Sequence, residues 1–206
     1  MPPPLRVGVL ASGEGTTFEG LARALASDRA VAEIVVLLSD RPSVRALEIA
    51  RARDIPTVVV PRDGANERRW SDRVSAELAA RRVDLVVLAG FLSILPPPWV
   101  DRWRGRAVNL HPSLLPRYGG RGMHGRRVHE AVLAAGEEES GVTVHLVTGT
   151  VDGGPPVAQE RVPVCPGDTP VSLRERLRPV EVALLAATVR RFATGALPLP
   201  YPGGED

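Results

Sequence analysis

The sequence predicts an α/β fold, a Rossmann-like, doubly wound and mostly parallel sheet of seven strands with helices on both faces. Short apolar runs rich in Val, Leu and Ile alternate along the chain with longer segments whose apolar residues recur at helical spacing. Uniformly apolar runs are typical of strands in a parallel sheet that is buried on both faces. Helices between successive strands imply right-handed crossovers, and such crossovers build a doubly wound sheet.

The first strand and helix form a βα unit. Residues 5–11 are a Val and Leu run that ends in small residues, and this pattern predicts a buried strand. The segment after it predicts a helix, because its apolar residues follow the i, i+3, i+4, i+7 spacing at Phe18, Leu21, Ala22 and Leu25.

Three further strands follow, and two helices separate them. We expect strands over 34–38, 57–60 and 85–89, with Ser43 capping the first of the two helices and Asn66 the second. The apolar residues that these helices turn towards the sheet are Val44 and Leu47 in the first, and Trp70, Val74 and Leu78 in the second.

The second half of the chain continues the alternation. We expect a strand over 107–110, a helix over 126–135 and two more strands over 142–147 and 157–164. A final helix is predicted over 171–191, and its apolar face carries Leu173, Leu177, Val180 and Leu184. Pro179 lies inside this helix and is expected to kink or divide it, because proline has no N–H to donate.

The length of the chain suits one domain. A sequence of 206 residues can bury a sizeable α/β core, and we expect a single domain over 1–206 with its core over 5–192. The end, LPLPYPGGED, is rich in Pro and Gly, so residues 193–206 are expected to lie loose on the surface.

Composition excludes several classes of function. The 26 basic residues nearly balance the 24 acidic ones and form no long stripe, so nucleic acid is not an expected partner. Every basic residue is arginine, which rules out a phosphate-loop lysine and a Schiff-base lysine. Cys165 is the single cysteine, so no intramolecular disulfide can form, a metal site is not expected, and a cytoplasmic setting is indicated. No signal peptide or membrane-spanning run is present, so no membrane association is expected.

The segment 107–120, AVNLHPSLLPRYGG, carries the first candidate chemistry. Asn109 and His111 are two residues apart, so on a strand both side chains leave the same face, and Pro112 ends the strand directly after them. An amide and an imidazole at the carboxyl end of a strand suit a reaction in which a carbonyl oxygen gains charge and a proton moves. Alternatively, His111 caps the strand and Asn109 satisfies loop backbone.

The turn SGEGTT, residues 12–17, is the second candidate element. Its glycines let the backbone approach an anion closely, and the N-terminus of the following helix offers free N–H groups, which suits a phosphate monoester. The glycines could equally serve a tight strand-to-helix turn. The turn is not a full dinucleotide motif, because Phe18 stands at the third glycine position, although Asp40 could still hold a ribose.

The loop 151–155, VDGGP, is the third candidate element. Asp152 follows the predicted strand that contains His145, so its carboxylate can face an imidazole across the crevice. Asp-Gly-Gly is also a common turn sequence, in which the aspartate serves local backbone donors.

These segments together resemble the folate-dependent formyltransferases. The resemblance runs from Val7 to about Phe192, and within the family it is strongest to members that formylate an amine in purine synthesis. The matching strings are NLHPSLLPRYGG (109–120), MHG (123–125), TVHLV (143–147) and VDGGP (151–155).

The resemblance implies a catalytic group of Asn109, His111 and Asp152. We expect direct transfer of a formyl group from 10-formyltetrahydrofolate, as co-substrate, to the amine of glycinamide ribonucleotide, without a metal. Asn109 and a protonated His111 would then donate hydrogen bonds to the oxyanion. Asp152 would favour the charged imidazole and, through a water, move the proton from the attacking to the leaving nitrogen. His145 is expected either to support the catalytic side chains without touching the substrates or to be structural, with His124 in a mobile loop and His129 on a helix face.

The resemblance also implies where the substrates bind. The ribonucleotide would lie on the first turn and on Glu181, which could otherwise be a solvated charge on a helix. The turn residues are Gly13, Glu14, Gly15, Thr16 and Thr17. The folate-binding residues would be Phe91, Leu92, Ser93, Ile94, Leu95, Asn109, Gly149, Thr150, Val151 and Asp152.

The chain departs from the family at four of these positions. The family commonly has Asn at the position of Thr17, a basic residue at Ser93 and acidic residues near Gly149 and Thr150, so we expect backbone groups to make these contacts. Glycines at 119, 120 and 122 give the loop after His111 the freedom expected of a lid.

Two other functions remain open from the sequence. Relatives with the same formyl donor act on methionyl-tRNA or hydrolyse formyltetrahydrofolate, but they carry a further domain that 206 residues are not expected to hold. The alternatives are therefore a hydrolase-like enzyme, or a non-catalytic module whose SGEGTT turn binds a nucleotide. Whether the protein is a monomer or a homodimer stays open.

Overall fold

The computed structural model describes residues 3–62, 64 and 66–202. The strands within them are β1 (Leu5–Leu10), β2 (Ala32–Ser39), β3 (Thr57–Val59), β4 (Leu85–Leu88), β5 (Ala107–His111), β6 (Glu139–Leu146) and β7 (Pro156–Pro163). The helices are α1 (Thr16–Ala26), α2 (Arg45–Arg51), α3 (Glu67–Ala80), α4 (Pro97–Arg102), α5 (Arg126–Ala134) and α6 (Pro170–Ala193).

The strands form one seven-stranded sheet in the order β3-β2-β1-β4-β5-β6-β7. Neighbours from β3 to β5 run parallel, whereas β6 is antiparallel to β5 and β7 is antiparallel to β6. The predicted mostly parallel, seven-stranded α/β fold is therefore confirmed. Because β1, β4 and β5 are parallel neighbours, their carboxyl ends and the loops that follow meet at one edge of the sheet.

Helices cover both faces of the sheet. Alternate residues of β4 enter different apolar clusters, with Leu85 and Val87 on one face and Val86 and Leu88 on the other. The first cluster is closed by α1, α2 and α6, and the second by α3 and α4. Burial on both faces explains why the central strands read as uninterrupted apolar runs.

Two helix starts differ in how they match the prediction. The side chain of Asn66 accepts a hydrogen bond from the backbone N–H of Arg69 at 2.9 Å, so the predicted cap of α3 is confirmed. The predicted cap Ser43 is wrong, because Val44 occupies the cap position of α2 in an extended conformation and the helix begins at Arg45. The backbone N–H of Ala46 instead donates to the carbonyl of Gly13 at 3.1 Å.

The helix α4 was not predicted. It has six residues, begins with proline at its first two positions, and buries Trp99 and Val100 against the sheet. Six residues are too few to show a helical period, and the run of three prolines at 96–98 reads as a loop.

The helix α6 continues through Pro179 without dividing. Leu173 and Leu177 are buried as predicted, and a capping box of Thr169 and Ser172 fixes the first turn. The expected division of the helix at Pro179 is therefore wrong, whereas the alternative, a kink at this residue, stays a prediction.

The expectation of a loose segment after residue 193 is wrong for its described part. Leu197 is buried in the main core, and the ring of Tyr201 meets Phe192 edge-on with a centroid separation of 6.1 Å. The backbone N–H of Tyr201 also donates to the carbonyl of Gly105 at 2.8 Å. Leu197 and Tyr201 thus anchor a segment whose Pro and Gly content suggested a loose tail. Residues 203–206 lie outside the described residues.

None of the helices in the described ranges is both long enough and apolar enough to span a membrane.

Candidate active site

A cleft of about 660 Å³ opens at the sheet edge where β1, β4 and β5 end. Every residue that the sequence marked as catalytic, phosphate-binding or folate-binding lines this cleft. The lining segments are 13–17 after β1, 88–95 after β4, 109–112 at the end of β5, the loop 120–125, the loop 147–152, and three side chains of α6. The fold thus brings together residues that are far apart in the sequence.

The carboxylate of Asp152 lies at the centre of the polar groups. Its Oδ2 accepts a hydrogen bond from the backbone N–H of Gly120 at 3.0 Å and lies 3.4 Å from Nδ1 of His111. Its Oδ1 lies 3.4 Å from Nδ2 of Asn109 and 3.5 Å from Nε2 of His145. One nearly buried carboxylate therefore contacts two imidazoles, an amide and the candidate lid.

The imidazole of His111 is held on its other side by backbone. Its Nε2 lies 2.8 Å from the carbonyl oxygen of Tyr118, and because a carbonyl only accepts, this nitrogen carries hydrogen and donates. Tyr118 adopts a positive φ of 58°, which turns its carbonyl towards the histidine. This contact fixes the ring and leaves Nδ1 facing Asp152.

The amide of Asn109 is held by His145 on the neighbouring strand. The two residues are direct partners in the β5–β6 pairing, and Nδ2 of Asn109 lies 3.0 Å from Nε2 of His145. His145 is buried, and its Nδ1 lies 2.8 Å from the carbonyl oxygen of Leu146. The sequence placed His145 near the site but gave no sign of this contact.

Burial and the neighbouring polar groups act in opposite directions on the pKa of His111. Burial lowers the pKa of His111 below 6.5, and this effect exceeds the upward effects of the Asp152 charge and the Tyr118 carbonyl. Burial alone would raise the pKa of Asp152, but the contact with His145, the charge of His111 and the N–H of Gly120 together lower it. The charge of Asp152 therefore favours the protonated imidazole, as expected, while burial acts against it and is the larger of the two effects.

The turn after β1 has the geometry of an anion cradle. Gly15 adopts a φ of 70° at the start of α1, where a Cβ would lie 2.7 Å from Ala46, so only glycine fits. The first-turn N–H groups of α1 have no acceptor within the helix, and Gly15, Thr16 and Thr17 at this end of the helix line the cleft. Glu14 is exposed and points its carboxylate towards Arg45, 3.8 Å away.

Glu181 reaches the cleft from α6. Burial raises the pKa of its carboxyl group, while a 3.4 Å hydrogen bond from the hydroxyl of Thr17 and the charges of Arg174 and Arg178 act in the opposite direction. Glu181 is therefore not a solvated surface charge. Arg174 and Arg178 were not among the site residues expected from the sequence. Their spacing with Glu181 nevertheless places all three side chains on one face of the helix.

The segment 91–95 forms an apolar wall. The ring of Phe91 stacks on Trp70 with centroids 6.3 Å apart, while Leu92 and Ile94 are exposed to the cleft and Leu95 is buried. The exposed pair gives a flat ligand an apolar surface to contact.

Ser93 and Asp40 bind each other beside this wall. The hydroxyl of Ser93 donates to Oδ2 of Asp40 at 2.6 Å, and Asp40 is buried and does not line the cleft. The position where the family commonly has a basic side chain is therefore occupied by a neutral one that faces Asp40. This contact also argues against Asp40 as a ribose ligand.

The loop before Asp152 is shaped by its own backbone. Gly153 donates its N–H to the carbonyl of Thr150 at 3.1 Å, and a Cβ at Gly153 would lie 2.6 Å from the Thr150 side chain. Asp152 itself adopts a positive φ of 55°. Gly149, Thr150 and Val151, which precede this residue in the loop, line the cleft.

His129 is a buried histidine that the sequence assigned to a helix face. It lines the cleft from α5 with 2% of its surface exposed, and its Nδ1 has no partner among the residues that the structure describes. Burial, with the charges of Arg174 and His111, lowers the pKa of His129 from 6.5 to about 4. It is therefore a neutral imidazole at pH 7.

Across 3–62, 64 and 66–202, no cluster of three or more His, Cys, Asp or Glu side chains is arranged to hold a metal ion.

Comparisons with known proteins agree with this geometry. The sequence model of the family described as formyl transferase matches residues 5–189. A phosphoribosylglycinamide formyltransferase of Mycobacterium tuberculosis is 42% identical over 192 residues, which are 93% of this chain and 86% of that protein. The crystal structure of a phosphoribosylglycinamide formyltransferase from Coxiella burnetii superimposes with a TM-score of 0.87 at 36% identity, covering 94% of this chain and 89% of that one.

A longer relative matches over one part only. The trifunctional purine biosynthetic protein adenosine-3 of Drosophila melanogaster is 41% identical over 179 residues, which are 85% of this chain but 13% of that protein. The chain thus spans most of the single-function relative and a small part of the trifunctional one. With a family match over nearly its whole length and the family's motif residues gathered in one cleft, the chain belongs to the formyl transferase family.

Proposed function

We propose that this protein transfers the formyl group of 10-formyltetrahydrofolate to the amine of glycinamide ribonucleotide, a step of purine biosynthesis. The family match and the names of the similar proteins support this reaction. The identity of the co-substrate and the role of each residue are part of this proposal.

The arrangement of two donors around one carboxylate is the observation that carries the proposal. Asn109 and His111 are each fixed by one short contact, of 3.0 Å to His145 and 2.8 Å to the Tyr118 carbonyl. Each also has one long contact of 3.4 Å, and both long contacts lead to Asp152. Long contacts are weak, so a stronger acceptor can compete for the N–H of Asn109, and for Nδ1 of His111 once that nitrogen is protonated. The oxygen of a formyl group that gains negative charge is such an acceptor.

The reaction then follows from these positions. The neutral substrate amine attacks the formyl carbon, the carbonyl oxygen becomes an oxyanion, and Asn109 and His111 donate to it. A nearby oxyanion favours the protonated imidazole, so it opposes the effect of burial on His111 at the moment when the charge is needed. Asp152, through a water, takes the proton from the attacking nitrogen and delivers it to the folate nitrogen as the C–N bond breaks. The numbers of protons and charges are the same before and after transfer.

The walls of the cleft suggest the positions of the two substrates. The anion cradle at 13–17 and the buried Glu181 would bind the phosphate and ribose hydroxyls of the ribonucleotide. The wall at 91–95 and the backbone of 149–152 would hold the pterin of the folate from two sides. Both regions line the cleft that contains Asp152, so the amine and the formyl group would meet within it.

Residues of one chain line the whole cleft, so the proposed reaction is compatible with either a monomer or a homodimer. It includes the cytoplasmic setting that the single Cys165 indicates. The hydrolase-like alternative is not favoured, because the transferases of Mycobacterium tuberculosis and Coxiella burnetii are 42% and 36% identical to this chain, whereas a formyltetrahydrofolate deformylase of Pseudomonas syringae is 26% identical and is covered over 64% of its length. The non-catalytic alternative is not favoured, because the cleft holds a complete donor and acceptor set.

A spectrophotometric assay with each substrate omitted in turn tests the proposal. We expect release of the deformylated folate only when glycinamide ribonucleotide and 10-formyltetrahydrofolate, or its dideaza analogue, are both present. Folate breakdown without the amine would instead identify a hydrolase. Absence of any reaction with retained ribonucleotide binding would identify a binding module.

The variant His111→Ala separates catalysis from binding. Loss of one oxyanion donor typically costs about 3 kcal/mol, so we expect kcat to fall by about 100-fold or more. Ribonucleotide binding, measured by calorimetry, should be retained because the phosphate cradle is distant in sequence and intact. Unchanged turnover would remove His111 from the mechanism.

A further inference from the structure

We infer that His145 is a positioning residue, whose unprotonated Nε2 holds the amide of Asn109 so that one amide N–H is left to donate to the formyl oxygen. This inference rests on the proposed formyl transfer. It assigns the reaction a residue that does not itself touch the reacting atoms.

The strand pairing places His145 against Asn109. The antiparallel register of β5 and β6 makes the two residues direct cross-strand partners, and side chains of such partners lie on the same face of a sheet. Both nitrogen atoms, Nδ2 of the amide and Nε2 of the imidazole, are 3.0 Å apart in a part-buried position. At this distance one of them must donate and the other accept.

A backbone carbonyl decides which nitrogen accepts. Nδ1 of His145 lies 2.8 Å from the carbonyl oxygen of Leu146, which can only accept, so Nδ1 carries the hydrogen. In a neutral imidazole the other nitrogen, Nε2, then carries a lone pair. Asn109 must turn its NH₂ group towards that lone pair, because its carbonyl oxygen there would place two acceptors in contact.

The orientation of the amide determines what Asn109 offers to a substrate. Its NH₂ group has two hydrogens, and the contact with His145 uses one of them. The second is directed at Oδ1 of Asp152, and the separation of 3.4 Å leaves it weakly bonded. If Asn109 were rotated by half a turn, it would present its carbonyl oxygen on this side, and two oxygens carrying negative charge would repel each other there. His145 therefore preserves a donor at the place where the oxyanion develops.

Steady-state kinetics of two substitutions test the inference. We expect His145→Leu, which removes the acceptor, to lower kcat by about 10- to 100-fold with KM nearly unchanged, a part of the 100- to 1,000-fold typical of losing an oxyanion donor. His145→Gln restores a carbonyl acceptor and should retain kcat within about 5-fold of the wild-type value. Val142→Ala, on the same strand but without contact to Asn109, is the matched control for weakened packing and should keep the wild-type kcat.

A double-mutant cycle separates positioning from a merely structural effect. If His145 acts through the amide, His145→Leu should cost less than about 2-fold in kcat when Asn109 is already alanine. An equal loss in both backgrounds, or full kcat in His145→Leu alone, would overturn the inference.

Nitrogen NMR of the unliganded wild-type protein gives a readout that does not depend on turnover. We expect the ¹⁵N shift of His145 Nε2 to be that of an unprotonated ring nitrogen. The ¹⁵N shift of Nδ1 should be that of a protonated ring nitrogen. A hydrogen on Nε2 would overturn the inference, because His145 would then donate to Asp152 and displace the amide. If the tautomer is as expected but the wild-type protein transfers no formyl group, the proposed function fails while the contact between His145 and Asn109 stands.

Discussion

Individual atoms around Asp152 explain why three polar residues from two segments can act together. The carboxylate has only four lone-pair directions, and Gly120, His111, Asn109 and His145 all lie within 3.5 Å of it. Crowding of this kind couples the protonation of His111 to the charge of the aspartate. Changes at one residue should therefore be measurable at its neighbours.

The variant Asp152→Asn should lower the pKa of His111. Burial already lowers this pKa and the charge of Asp152 opposes it, so removing the charge leaves burial less opposed. An NMR titration of the histidine side chains measures the change. His129 serves as an internal control, because its pKa is set by burial, Arg174 and His111 and not by Asp152. A His111 pKa that stays in place would contradict the expectation.

The variant His129→Leu should make stability less dependent on pH. With a folded pKa of about 4 and an ordinary value of 6.5, His129 is protonated in the unfolded chain at pH 5 but stays neutral in the folded one. The free energy of unfolding of the wild type therefore falls as pH falls through this window, and His129 accounts for about 2 kcal/mol of the fall between pH 7 and pH 5.

Urea unfolding of both proteins at pH 7 and pH 5 measures this difference. Below pH 4 the imidazole is protonated in both states and no further loss arises from it. At pH 7 the variant should be within about 1 kcal/mol of the wild type, because leucine also removes the buried Nδ1 without a partner. Identical pH dependence in the two proteins would show that His129 protonates freely in the fold.

Sequence motifs located the candidate residues but not their partners. Asn109, His111 and Asp152 stand in recognisable strings, and the structure brings them together as expected. The Tyr118 carbonyl, the tautomer of His145 and the orientation of the Asn109 amide depend on backbone atoms placed by tertiary pairing, which no local pattern encodes. The effect of burial on the pKa of His111 was not predicted, because the surroundings of this side chain are set by the tertiary fold.

Two helices contribute to the cleft in different ways. The helix α1 presents its N-terminus, whereas α6 presents a side-chain stripe of Arg174, Arg178 and Glu181. Apolar residues at helical spacing predicted both helices, and the same spacing predicted α3 with its Asn66 cap. The short α4 escaped prediction because one and a half turns carry no measurable period.

The variant Thr169→Ala should weaken the start of α6. The hydroxyl of Thr169 accepts from the N–H of Ser172 at 3.1 Å, and the hydroxyl of Ser172 accepts from the N–H of Thr169 at 2.9 Å. Loss of such a cap typically costs about 1 kcal/mol, measurable by urea unfolding. Thr194→Ala is the control, since Thr194 follows the end of the helix, is exposed there, and should change stability by less than about 0.5 kcal/mol. Equal effects would contradict a capping role.

The site lies where the strand direction changes within the sheet, between parallel β5 and antiparallel β6. The strands from β3 to β5 are parallel and gather their loops at one edge, whereas antiparallel β6 brings His145 beside Asn109. Alternation of strands and helices predicted the parallel part from the sequence. The point at which the direction reverses could not be predicted, because a segment with buried strand composition reads alike in either direction.

The variant Leu197→Ala tests whether the segment after α6 belongs to the core. A buried leucine truncated to alanine typically costs 2–5 kcal/mol, so we expect a loss of about 3 kcal/mol, whereas a loose tail would give almost none. Val171→Ala, at a side chain with 56% exposure, is the control and should stay within about 0.5 kcal/mol of the wild type. Chemical unfolding at pH 7 measures both.

The contact between Tyr201 and Gly105 affects the order in which the molecule is assembled. Gly105 lies two residues before β5, the strand that carries Asn109 and His111. Its carbonyl accepts from the N–H of Tyr201, which is synthesised almost a hundred residues later. On the ribosome, the sheet can pair from β1 to β5 while the apolar face of α1 still lacks its cover from α6. The active-site strand is thus tied down at its start only after synthesis has passed α6, and a nascent chain exposes the α1 face until then.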